Sequence, residues 1–90
     1  MATSINKYLT PEMYEVLDEL DISHSGELVC QHGSWWIDDK IVKEDAVKDL
    51  YLLRLIKPVQ LGKDEQVYKL NEDGLGCLSD KNYTPKLLSI

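Results

Sequence analysis

Ninety residues make one small domain, long enough to enclose a single apolar core and too short for two. With 43% hydrophobic and 29% charged residues, 5 Gly, 3 Pro and no low-complexity run, the composition excludes disordered, collagenous and fibrous readings. A net charge of -6 is the opposite of the basic footprint expected of a nucleic-acid-binding domain. The acidity is uneven: residues 1–37 carry one lysine against six carboxylates, whereas Lys40 to Leu70 hold seven basic residues against five acidic ones. No apolar stretch approaches the roughly 18 residues of a membrane span. Met1-Ala2-Thr3-Ser4 opens without the basic and apolar regions of a secretory signal, so a soluble, cytoplasmic protein with reduced cysteines is expected.

The first element in chain order is an arm, residues 1–9, which Ile5, Tyr8 and Leu9 can dock. Thr10-Pro11 then opens a helix over about 10–21, because Thr caps free N–H groups and Pro suits the first helical position. Met13, Val16, Leu17 and Leu20 recur at helical spacing and define its apolar face. After a Ser23-His24-Ser25-Gly26 loop, Leu28-Val29-Cys30-Gln31 and Ser34-Trp35-Trp36-Ile37 flank His32-Gly33, the pattern of a hairpin. In that register Leu28, Cys30, Trp35 and Ile37 share one face and Val29, Gln31, Ser34 and Trp36 the other, which leaves at least one tryptophan at or near the surface.

A second helix is expected over about 40–56, capped by Asp38 or Asp39, with Ala46, Val47, Leu50 and Leu53 toward the core. Its opposite side then offers Asp45, Lys48, Leu52 and Leu55. Pro58 ends helical propagation, and Val59-Gln60-Leu61 and Val67-Tyr68-Lys69-Leu70 alternate around a polar tip as a second hairpin. Asn71 caps a short last helix through Leu78, in which Gly74 and Gly76 each cost roughly 1 kcal/mol relative to Ala, so packing has to hold it. The tail, residues 80–90, is polar until Leu87, Leu88 and Ile90, which dock on the domain or serve a partner.

Ala46 through Leu55-Ile56, the following hairpin, and Tyr68-Lys69-Leu70-Asn71-Glu72-Asp73-Gly74 with Leu78 resemble the second half of a winged-helix domain. In that family a helix ends in a Leu-Ile pair, a two-stranded wing follows, and the chain re-enters a helix through a Tyr-x-Leu-Thr-x-x-Gly pattern. Here Asn71 stands for the Thr, and Leu28 to Ile37 occupy the place of the family's middle helix. The resemblance covers about residues 46–78. It implies an α+β fold ordered helix, hairpin, helix, wing, short helix, and a non-catalytic DNA-binding module of a small, often dimeric transcriptional regulator. In that role Lys40, Lys43, Lys48, Arg54, Lys57 and Lys63 would contact the phosphates of double-stranded DNA. The alternative is an acidic adaptor or inhibitor, of viral or mobile-element character, that binds a protein partner or a second copy through Trp36, Val29, Leu52 and Leu55, since aromatic anchors ringed by charge are typical interface hot spots.

No enzyme, metal or cofactor is expected. His24, Cys30, His32 and Cys77 lack the spacing of a structural zinc site. Cys30 beside His32 has no orienting acid. Gly74-x-Gly76 is not a phosphate loop. The triplet Asn82-Tyr83-Thr84 matters only in a secreted protein.

Overall fold

The computed structural model describes residues 5–88; Met1 to Ser4 and the last two residues, Ile90 of the tail among them, lie outside it. Helix α1 spans Pro11–Ile22. Thr10 Oγ1 accepts from the Met13 N–H at 3.2 Å, and the Met13 sulfur accepts in return from the Thr10 N–H at 3.5 Å. A thioether thus takes the place of the carboxylate in a reciprocal N-terminal cap. Met13, Val16, Leu17 and Leu20 are buried, as their spacing requires.

Strands β1 (Glu27–Gln31) and β2 (Ser34–Ile37) pair in the expected register, Leu28 with Ile37 and Cys30 with Trp35. His32 (φ 55) and Gly33 (φ 79) both take the left-handed conformation that a two-residue hairpin needs to match strand twist. Asp38 (φ 52) turns the chain again, and Lys40–Val42 add to β2 as β3. Asp38 is therefore not a helix cap: its carboxylate accepts from the N–H groups of His24 at 3.0 Å and Ser25 at 3.3 Å. The Ser25 hydroxyl first, and then these N–H groups, hold its pKa below the ordinary carboxylate value, and the contacts pin the α1–β1 loop.

The second helix is correspondingly shorter than the expected 40–56. Helix α2 covers Glu44–Leu52, follows Lys43 as its N-cap, and buries Ala46, Val47 and Leu50. It stops because the chain reverses at Arg54 (φ 59): the Arg54 N–H donates to Tyr51 O at 3.0 Å and the Leu55 N–H to Leu50 O at 2.9 Å. This paired closure, a Schellman turn, normally has glycine at the left-handed position. It also sends Leu55 inward, where it is completely buried.

Strands β4 (Ile56–Leu61) and β5 (Glu65–Leu70) form the second hairpin, longer than the alternation suggested and bulged between Pro58 and Gln60. Helix α3 (Glu72–Ser79) follows, with Asn71 Oδ1 accepting from the Gly74 N–H at 2.8 Å and Asn71 Nδ2 donating to Arg54 O at 2.6 Å. One side chain thus ties the start of α3 to the end of α2. A 3₁₀ turn, Lys86–Leu88, closes the described chain.

The five strands of the described residues join one antiparallel sheet, ordered β3-β2-β1-β5-β4, so the fold is α+β with a three-stranded meander where one hairpin was expected. The core is a single cluster on one face of this sheet, drawn from all three α-helices and from Leu28, Ile37 and Ile56. Asn6, 1% exposed, donates to Asp80 O and Tyr83 O and accepts from the Tyr8 N–H, so arm and tail are bound to each other. The Tyr83 hydroxyl donates to the buried Asp73 carboxylate.

Candidate functional site

Cross-strand pairing fixes which residues stand on the face away from the helices. Val29 faces Trp36, Trp36 faces Ile41, and Val29 also faces Val67, so four apolar side chains form one row across β3, β2, β1 and β5. Directly opposed residues share a face, and none of the four belongs to the helix-side core. Ile41 is 63% exposed, Trp36 and Val29 are half-buried, and Val67 is only 6% exposed within the row. Polar rows border it on both sides: Gln31, Ser34 and Glu65 on one, Glu27, Lys69 and Lys57 on the other. A half-covered tryptophan inside a charged rim has the composition of an interface anchor.

Trp35 points the other way. Its ring lies 5.5 Å from that of Tyr68, which in turn meets Tyr51 edge-on at 6.0 Å. These three rings, with Val47, Lys48, Leu52 and Ile56, line a groove of about 260 Å³ beside α2. Leu52 is 66% exposed there, on the side of the sheet opposite Trp36. The four residues expected to make one apolar patch are therefore divided: Trp36 and Val29 share a face, Leu52 lies on the other, and Leu55 is in the core because the chain reverses at Arg54.

The six cations expected on DNA are not gathered either. Lys40 Nζ lies 3.1 Å from Glu19 Oε1. Lys40 and Lys43 both border a groove of about 500 Å³ that also holds Glu12, Glu15, Asp18 and Glu19. Lys48 stands 3.9 Å from Glu44 on α2, whose other exposed acids are Asp45 and Asp49. The Arg54 guanidinium sits 5.2 Å from the centroid of the Tyr51 ring. Lys57, paired across strands with Lys69, belongs to the helix-free face, and Lys63 to the tip of the β4–β5 hairpin.

Sequence reasoning missed Ile41 and Val67 as members of the row. The signal for Ile41 is the Asp38-Asp39 turn, which sends Lys40-Ile41-Val42 back along β2, three residues that a helical reading absorbs. Among the described residues no group of three or more His, Cys, Asp or Glu is placed to hold a metal, and no helix is long and apolar enough to cross a membrane. Both cysteines are free; Cys30 is half-buried, while Cys77 is buried and its thiol is pushed up to about 11 by loss of solvent. The phenol of Tyr83 is raised to about 12, first by the hydrogen bond it donates to Asp73. Both shifts favour neutral, structural groups. Comparison with protein-family models, curated proteins and solved structures gave no match.

Proposed function

We propose that this chain is a non-catalytic, winged-helix-like module that binds a protein through the helix-free face of its sheet. The observation that carries the reading is the row Ile41, Trp36, Val29 and Val67, bordered by charged side chains and left uncovered by the three helices. The winged-helix likeness is supported by the closure of α2 at Arg54, the β4–β5 hairpin, and the return into α3 through Asn71 and Gly74. The chemistry of α2 argues against use as a reader of DNA. Its first turn carries Glu44 and Asp45, which repel phosphate where a helix N-terminus would otherwise attract it, and Lys48 is its only cation.

One observation favours duplex DNA as a second reading: Lys57 and Lys69 oppose each other on the wing, with Lys63 at its tip. The two readings separate in one comparison. Capture from the native host with the wild type and Trp36→Asp should recover a protein with the first and lose it with the second. Labelled duplex at about 50 mM salt should show no binding tighter than about 10⁻⁴ M. Salt-sensitive binding to duplex that Lys57→Glu abolishes, with capture unaffected at Trp36, would reverse the assignment.

A further inference from the structure

We infer that the partner of the helix-free face is a second copy of this chain, docked sheet on sheet about a two-fold axis that runs along the apolar row. The inference rests on the protein-binding reading above and narrows it to one occupant.

The pairing register supplies the argument. A two-fold axis lying between two facing sheets has two simple directions, along the strands or across them. Along the strands it exchanges the two edges, setting Ile41 of β3 over Gln60 of β4, the residue that ends the row. Across the strands it keeps each strand over its own copy, so Ile41, Trp36 and Val29 each meet themselves and the apolar row stays closed. That same operation exchanges the two polar borders. Lys69 and Glu65 lie on β5 on either side of Val67, and Glu27 and Gln31 lie on β1 on either side of Val29. Lys69 of one copy therefore meets Glu65 of the other, whose carboxylate also accepts from Gln31 Nε2 of its own chain at 3.2 Å, and Glu27 meets Gln31, giving two equivalent ion pairs per dimer. Within one chain Lys69 stands between Glu27 on β1 and Lys57 on β4, so a facing Glu65 adds a second carboxylate to a row that holds two lysines. Self-complementarity of this kind is what an isologous interface demands.

Size sets the strength. Five strands at about 4.8 Å spacing and three rows of side chains span about 24 by 20 Å, or about 500 Å² a side, which falls among small, reversible interfaces. Aligned sheets of this type pack about 10 Å apart with strands crossing near 30°.

Sedimentation of the full chain from about 5 to 500 μM tests the inference, the range being that of weak interfaces. The weight-average mass should rise from monomer toward dimer with concentration. Ile41→Asp, at a 63% exposed position outside the helix-side core, should hold it at monomer throughout with its circular dichroism unchanged, as should Trp36→Asp if that variant folds. Lys69→Glu and Glu65→Lys should each weaken association about tenfold, and the two together should restore it, because each reversed charge then meets a reversed partner. A monomer at every concentration, or a dimer indifferent to Ile41→Asp, overturns the inference. Capture of another protein that depends on Trp36 would in that event leave the broader protein-binding reading standing, and its failure as well would remove both.

Discussion

Replacing Gly74 with alanine separates packing from propensity. An added Cβ would lie 2.1 Å from the Leu55 carbonyl oxygen, 2.9 Å from Leu70 Cδ1 and 3.2 Å from the Leu55 carbonyl carbon. The first of these is backbone, fixed by the hydrogen bond that Leu55 O accepts from the Asn71 N–H at 3.3 Å and by the reversal at Arg54, so it cannot yield as a side-chain tip would. Alanine gains about 1 kcal/mol of helix propensity. Against that stand about 3 kcal/mol for forcing the packed elements apart and about 1 kcal/mol for each of the two Asn71 hydrogen bonds to the Arg54–Leu55 turn that separation breaks. The net cost is about 4 kcal/mol, a large share of the roughly 5 to 13 kcal/mol that a domain of this size commands. Urea unfolding followed by circular dichroism should show a midpoint lowered by about 2 M or more. Gly76→Ala is the comparison, since its Cβ meets the Tyr83 ring at 2.6 to 2.7 Å, a side chain and not backbone, whose displacement gives up the hydrogen bond to Asp73. It should cost less than Gly74→Ala, because no packed element has to move. If Gly74→Ala matches or exceeds the wild type, propensity governs α3 and the close approach of α3 to the α2–β4 turn is wrong.

Arg54 in the left-handed conformation predicts that Arg54→Gly is more stable than Arg54→Ala by about 1 kcal/mol, because both lose the contact with Tyr51 and only glycine loses the backbone strain; equal midpoints in urea would contradict the turn. Tyr83 has a folded pKa of about 12 against an ordinary phenol near 10, so its contribution to stability is complete below about pH 10 and disappears as pH rises toward 12. Tyr83→Phe should remove that part of the alkaline loss in urea titrations at pH 9 to 12, and an unchanged profile would refute the Asp73 hydrogen bond. A thiol reagent at neutral pH should label Cys30 and spare Cys77 until the protein unfolds; mass spectrometry of the tryptic peptides reads the difference.

Much of the frame was legible because local chemistry and the global fold agree. Thr10-Pro11 placed the start of α1, His32-Gly33 set the β1–β2 register to the residue, and Asn71 marked α3. The misreadings share one cause, a helical pattern that outruns its helix. Lys40-Ile41-Val42 is too short for alternation to register, and only the reversal at Asp38 assigns it to the sheet. At the other end, arginine occupies a position where glycine would have announced a helix stop, so Leu53 and Leu55 looked like further turns of helix. That one conformation moved Leu55 from the surface to the core. The candidate site was half legible for the same reason: strand alternation put Val29 and Trp36 together, while Ile41 and Val67 depend on which strands neighbour them, which is a property of the sheet order and not of any local segment.

Amide and indole shifts followed by NMR as the protein is concentrated test the assignment of the sheet face most directly. Changes should be confined to the row Ile41, Trp36, Val29 and Val67 and to the bordering Glu27, Gln31, Glu65 and Lys69, with the Trp36 indole moving and the Trp35 indole still. Shifts centred instead on Lys48, Tyr51 and Leu52 of α2, with the Trp36 signal unmoved, would place the binding surface on the helical side and contradict it.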